Sequence, residues 1–306
     1  MPTAPTLNPG DTIGIMASSS RVDAARVDAG VKALEARGYK VKIHPQTYAT
    51  YTTTAGVLTS SAGTPAEKVA ALHDLWADDD VKAIMIARGG NEAAEMLPLL
   101  DYKAIAAKPK ILIGFSDVTA LSNGIHRQTG MVTYHGLLLH SMGVVDPGDL
   151  SQCFSLLSGQ DKNIQLDGAH TLRAGTVQGR LLGGNLSVLC SLLGTPYAPD
   201  FQDGLLFIED IGDELSRMNR FFLQLKLAGV FNKISGLIVG DFSDITDTGR
   251  LAFGRGITDM VTQHTQGTSF PVLLNAPFGH DKRLVTLPVG ARATLNADHT
   301  PRLSLL

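Results

Sequence analysis

Within the first 136 residues, five short apolar runs alternate with stretches of helical periodicity, and this alternation limits the fold more than any other feature. "TIGIMASS" (12–19) reads as a strand running into a serine-rich turn. Residues 21–37 place Val27, Val31 and Leu34 at helical spacing, with Gly38 as the stop. "YKVKIH" (39–44) alternates polar and apolar like a strand. Thr64-Pro65-Ala66-Glu67 matches a capping box with proline at the first helical position, and the helix it opens lines up Val69, Leu72 and Trp76. "VKAIMIA" (81–87) ends in Arg88-Gly89-Gly90, "KILIGF" (110–115) ends at Ser116, and "MVTYHG" (131–136) is the fifth run. The pattern predicts an α/β fold with a parallel sheet and helices on both faces. Ligands in such sheets sit beyond the carboxyl ends of the strands, where the glycine pair and Ser116 both fall.

From about 145 the pattern dissolves into polar, turn-rich segments such as "DPGDLSQ" and "SGQDKN". Residues 146–178 are therefore expected to be a linker with a few short elements, between a domain at 1–145 and a second at 179–306. In the latter, "GRLLGGNLSVLCSLLGTPY" reads as a glycine turn before a helix, and "GLLFIED" (204–210) as a buried strand ending in acids. Residues 213–229 read as a helix, and "ISGLIVGDF", "FPVLLNAPFGH", "LVTLPVGARATLN" and "RLSLL" as strands. This half is expected to be strand-rich and mixed.

A chain of 306 residues with 44% hydrophobic and 18% charged residues is an ordinary globular protein. A net charge of -3 and 6% aromatics argue against a nucleic-acid partner. No apolar run reaches membrane-spanning length, and no signal-peptide pattern opens the chain, so a cytoplasmic protein is expected. Cys153 and Cys190 lack any metal-ligand spacing and read as reduced thiols. No metal is expected: the histidines are scattered, and the acidic run "DFSDITDTG" (241–249) lacks a calcium-loop register. No nucleotide-binding glycine motif is present.

Ser116 has two readings. Serine is a favoured helix N-cap. It is also a nucleophile when an imidazole takes its proton and backbone amides face the developing oxyanion. A strand-to-helix turn leaves amides unpaired, so the Asp117 N–H is one candidate donor. The Gly89-Gly90 turn lets a second backbone N–H approach closely. Glu209, closing "LLFIED", is the acid candidate, and His280, in "NAPFGHDKR", the base candidate.

"ARGG", "GFSDVTAL", "GRLLGGNLSVL", "LFIEDIGDE", "PFGH" and "TLPVG", in this order, resemble the serine LD-carboxypeptidases, the family of the bacterial muramoyltetrapeptide carboxypeptidases and the microcin self-immunity proteins. The resemblance spans residues 9–290. It implies a flavodoxin-like N-terminal domain carrying the nucleophile and a strand-rich C-terminal domain carrying the other catalytic groups. It further implies a Ser116–His280–Glu209 triad, an oxyanion hole from the Gly90 and Asp117 amides, no cofactor, and a homodimer. The implied activity is hydrolysis of the bond between diaminopimelate (or lysine) and the terminal D-Ala of a murein tetrapeptide, in peptidoglycan recycling. Alternatives are an amide hydrolase of a peptidyl-nucleotide toxin and a non-catalytic two-lobed binding protein. Such an exopeptidase must also meet a substrate carboxylate, for which Arg88 and Arg220 are candidates. Two segments depart from the family: Asn91-Glu92-Ala93-Ala94, where a Tyr-Gly pair is usual after "RGG", and the run from Leu215 to Arg220, where a Tyr and an Asp-Arg pair are usual. Both are expected to shape the substrate pocket.

Overall fold

The computed structural model describes residues 5–281 and 283–306. In chain order the first elements are β1 (Thr12–Met16), α1 (Ala24–Glu35), β2 (Lys40–Ile43), α2 (Pro65–Ala77), β3 (Val81–Ile86), α3 (Tyr102–Ala107), β4 (Ile111–Gly114), α4 (Thr119–Thr129), β5 (Thr133–His135) and α5 (Pro147–Leu157). There follow β6 (Asn163–Gln165), β7 (His170–Arg173), β8 (Thr176–Asn185), α6 (Leu186–Leu192), β9 (Gly204–Ile211), α7 (Leu215–Leu227), β10 (Gly236–Ser243), α8 (Ile257–His264) and β11 (Val272–Leu274). The last strands are β12 (Leu287–Val289), β13 (Arg292–Asn296) and β14 (Arg302–Leu305). The chain folds as two compact units: residues up to Asp161 with Thr286–Gly290, and Lys162–Val285 with Ala291–Leu306.

The first unit is a six-stranded sheet in the order β2-β1-β3-β4-β5-β12. Its first five strands are parallel, and β12 adds an antiparallel edge. The order 2-1-3-4-5 is the flavodoxin-like arrangement, with its switch point between β1 and β3. Travel across the sheet reverses after β2, so right-handed crossovers send α1 to one face and α2 to α4 to the other. The capping box of α2 forms as the sequence predicts: the Glu67 amide donates to Thr64 Oγ1 (3.3 Å) and the Thr64 amide to Glu67 Oε2 (2.7 Å). Val69, Leu72 and Trp76 on that helix are buried.

The second unit is an eight-stranded mixed sheet in the order β6-β14-β13-β8-β9-β10-β11-β7. β8 to β11 run parallel, and the flanking strands are antiparallel. Leu186 and Leu189 of α6, Phe222 and Leu225 of α7, and Met260 and Val261 of α8 form one apolar cluster with Leu206, Ile208, Leu237 and Val239 of the sheet. Among the described residues no helix is long and apolar enough to cross a membrane.

Two local expectations are corrected. Residues 146–178 are more than a linker with a few short elements, since they belong to the two units themselves. Asp146 caps α5, accepting from the Gly148 amide (2.8 Å) with Pro147 at the first helical position, and β6, β7 and the start of β8 belong to the second sheet. Their polar, turn-like residues are caps and strand corners. The glycines of "GRLLGGN" do not form a turn before α6 but end β8. A Cβ on Gly183 would lie 1.8 Å from the Phe207 carbonyl oxygen of β9, so only glycine lets the two strands approach there.

Candidate active-site residues

In the first unit the loops after β1, β3 and β4 are laced together. Ser116 follows β4 and opens a single 3-10 turn, Ser116–Val118, that leads into α4. Its backbone is left-handed, with φ 64°. A serine there is strained, because Cβ crowds the carbonyl oxygen. The capping expectation does not hold: Phe115 is the N-cap of the 3-10 turn and Val118 that of α4, and neither end has a side-chain cap. The strained turn presents the hydroxyl rather than stapling the helix.

Gly89 lies against this serine, since a Cβ on it would stand 3.1 Å from both Ser116 Cβ and Oγ. Gly90 is packed on the β1 loop. A Cβ there would meet Ser20 Oγ at 2.4 Å and the Ser20 amide nitrogen at 2.9 Å. Among the described residues, the amides of Gly90 and Asp117 find no acceptor. Two unpaired donors near a strained hydroxyl make a site able to hold an oxyanion.

The Asp117 side chain has a role that sequence reasoning missed. The carboxylate is buried, and its Oδ2 accepts from Ser19 Oγ and from the Glu92 and Ala93 amides, each 2.8 Å away in the latter two cases. It thus ties the loops after β1 and β3 to the serine turn. The Glu92 side chain also has a partner, Lys68, so this departure from the family does not simply line a pocket. Arg88 is exposed and donates from Nη1 to the Arg21 carbonyl (2.9 Å).

In the second unit, Glu209 sits on β9, completely buried, and its Oε2 lies 2.7 Å from His280 Nδ1. β9 places it next to β10, and the segment after β11 is zipped along β10. The Ala276 amide donates to the Val239 carbonyl (2.9 Å) and the Asp241 amide to the Phe278 carbonyl (2.8 Å). Gly279 allows that approach with φ 141°, since a Cβ would lie 2.9 Å from Asp241 Cβ. The neighbouring Asp210 is occupied elsewhere, accepting from the Asn185 side-chain amide (2.9 Å) and from the Ser187 and Ile211 backbone amides. Burial pushes the Glu209 carboxyl up, with the hydrogen bond and charge of His280 opposing it. Burial likewise disfavours the His280 imidazolium, but the Glu209 hydrogen bond and the Glu209, Asp210 and Asp241 charges outweigh it. The imidazole is therefore held above its ordinary value. The Nδ1 contact with Glu209 sets the orientation and tautomer of the ring.

Arg220 is exposed on α7. Cys153 and Cys190 are buried, one in each unit, and burial pushes both thiols up to about 12, which leaves them inert.

The first unit thus holds a strained serine at a strand-to-helix turn, and the second a histidine paired with a buried carboxylate. The LD-carboxypeptidase N-terminal domain matches residues 13–136 and the LD-carboxypeptidase C-terminal domain residues 178–295. The chain belongs to the LD-carboxypeptidase family and is a hydrolase of the peptidase class. It is 33% identical to the "Probable murein peptide carboxypeptidase" of Bacillus subtilis (strain 168), covering 95% of this chain and 90% of that one. It is 31% identical to the "Microcin C7 self-immunity protein MccF" of Escherichia coli, covering 95% and 92%. A solved structure of MccF in complex with glutamyl sulfamoyl guanosine superposes with a TM-score of 0.90 at 28% identity, covering 100% of this chain and 99% of that one.

Proposed function

We propose that this protein is a serine LD-carboxypeptidase that removes the terminal D-Ala from murein tetrapeptides, cleaving the amide to the L-centre of diaminopimelate or lysine. The setting is cytoplasmic peptidoglycan recycling, the working form a homodimer, and no metal, cofactor or nucleic acid takes part. The observation that carries the reading is the left-handed backbone of Ser116, with φ 64° at the end of β4. Strain of that kind persists at functional sites where the surroundings over-determine it. The His280–Glu209 pair supports it, as does the name of the Bacillus subtilis relative.

Ser116 Oγ attacks the scissile carbonyl carbon while His280 Nε2 takes its proton. The carbonyl oxygen becomes an oxyanion, met by the Gly90 and Asp117 amides. Glu209 holds the Nδ1–H tautomer and stabilises the imidazolium that forms. Collapse of the tetrahedral species breaks the C–N bond, and His280 passes the proton to the departing D-Ala amine. Water then attacks the acyl-serine ester, giving its proton to His280, and the second collapse returns that proton to Ser116. Arg88 and Arg220 are the candidates for the substrate's free carboxylate.

A second reading is hydrolysis of a peptidyl-nucleotide, favoured by the likeness to MccF. Counting against it, the single tryptophan is unavailable to stack a purine: Trp76 is 3% exposed and its indole N–H donates to the Ile105 (3.2 Å) and Lys108 (2.8 Å) carbonyls.

The test is D-Ala release from a purified murein tetrapeptide, with a chelator present, by wild type and Ser116→Ala. Release by wild type alone supports the proposal. Folded wild type that releases none, but cleaves a peptidyl sulfamoyl nucleoside, replaces it with the second reading. Inactivity on both leaves the non-catalytic binding protein.

A further inference from the structure

Lys68 on α2 is completely buried, and its ammonium donates to Ser61 Oγ (2.8 Å) and to Glu92 Oε2 (2.6 Å). Glu92 lies two residues beyond Gly90. Its side chain is tied to α2, while its amide and that of Ala93 donate to the carboxylate of Asp117, the residue after Ser116. Ahead of the glycine pair, the Ala87 amide donates to the Met16 carbonyl (2.8 Å), and the Ser20 amide donates to the Gly89 carbonyl (3.2 Å). The Gly89-Gly90 turn is thus anchored on both sides, and the far anchor ends in an ion pair whose lysine is buried and whose glutamate is partly exposed.

A staple needed only for stability could have been apolar. Taking the Lys68 ammonium out of water carries a desolvation cost, so the pair offers stability no clear advantage over a well-packed apolar side chain at position 68. What charge-assisted hydrogen bonds add is fixed direction and distance. The Glu92 carboxyl stays ionised: burial raises it, but the hydrogen bonds from Lys68 and Ser61 and the Lys68 charge outweigh burial and hold it below the usual carboxylate range.

We infer that Lys68 and Glu92 are positioning residues whose ion pair sets the Gly90 amide relative to the Asp117 amide, so that both donors are aimed at one oxyanion before substrate arrives. The inference rests on the proposed role of Ser116 and of those two amides. It assigns catalytic geometry to a pair that touches neither substrate nor reacting atoms.

The test compares wild type with Lys68→Met/Glu92→Gln, which removes both charges together, and with Glu92→Asp, which keeps the charges but shortens the tether. Three quantities are read: thermal midpoint, kcat and KM for D-Ala release, and the rate of Ser116 labelling by a fluorophosphonate. Labelling forms an Oγ–P bond, expels fluoride and places the phosphoryl oxygen where the oxyanion would sit, so it needs no natural substrate. The double variant is expected to keep its midpoint within a few degrees while kcat and labelling rate both fall about tenfold or more, with KM within about twofold. Glu92→Asp is expected to fall between. A folded double variant with wild-type kcat and labelling rate overturns the inference. If the double variant does not fold, Glu92→Asp decides, and a wild-type labelling rate there overturns it. Wild type that labels at Ser116 but releases no D-Ala overturns the substrate assigned above, and the labelling comparison still decides this inference. Wild type that does not label at Ser116 overturns both.

Discussion

His280 Nδ1 lies 2.7 Å from Oε2 of Glu209, a carboxyl with no solvent exposure. The two groups titrate as a pair, and what happens to one is read in the other. In the proposed mechanism His280 must be neutral to accept the Ser116 proton. Its pKa is raised above the ordinary 6.5, so the base stays protonated to a higher pH than a free histidine would.

The acid limb of kcat/KM is therefore expected to have its midpoint above 6.5. Glu209→Gln removes the carboxylate that opposes burial, so the limb should move to lower pH. The rate at its plateau should fall by about 10³–10⁴, through loss of the tautomer and of imidazolium stabilisation. A pH–rate profile of both proteins checks this. A limb that stays in place would separate Glu209 from the base.

Replacing Ser116 tests strain and chemistry separately. Ser116→Ala and Ser116→Gly are each expected to lose activity by several powers of ten. Only glycine relieves the left-handed backbone at φ 64°. Ser116→Gly should be more stable than Ser116→Ala by about 1 kcal/mol, measured by denaturant unfolding. Equal stabilities would mean that the strain is not there.

Gly89→Ala places a methyl 3.1 Å from Ser116 Cβ and Oγ, so the serine must give by a few tenths of an ångström. The expected result is a drop of about tenfold in kcat with folding stability changed by less than about 1 kcal/mol, since small displacements of a reacting group cost rate more than stability. Steady-state kinetics beside a thermal melt decide it.

Trp76→Phe removes the indole N–H that serves the Ile105 and Lys108 carbonyls. A loss of about 1–3 kcal/mol of stability is expected, from the hydrogen bonds and the lost volume. Activity on murein peptide and on a peptidyl-nucleotide should be unchanged. Selective loss of the nucleotide activity would give Trp76 a stacking role that its burial argues against.

The elements of the first unit were largely legible in the chain. Apolar runs with period two or none, and the Thr64–Glu67 box, are local signals, and local sterics and hydrogen bonding dictate them. The second half was less legible where glycines had two meanings. Gly183 marks strand contact rather than a turn, because its constraint is the Phe207 carbonyl of the next strand, 24 residues on in sequence. The polar run at 146–178 misled for the same reason: caps and strand corners use the residues that linkers use.

By itself the sequence determined the alternation that makes a parallel sheet and the burial of Trp76, and it put Ser116, Glu209 and His280 forward as candidates for acyl-transfer chemistry. Tertiary structure alone decided the rest. It set the left-handed turn of Ser116, and the three hydrogen bonds on Asp117 and the Lys68–Glu92 pair join residues between 24 and 98 positions apart. The 2.7 Å contact of His280 with Glu209 spans 71 positions. No periodicity encodes such pairs, because they depend on strand order and on which side chains burial leaves without water.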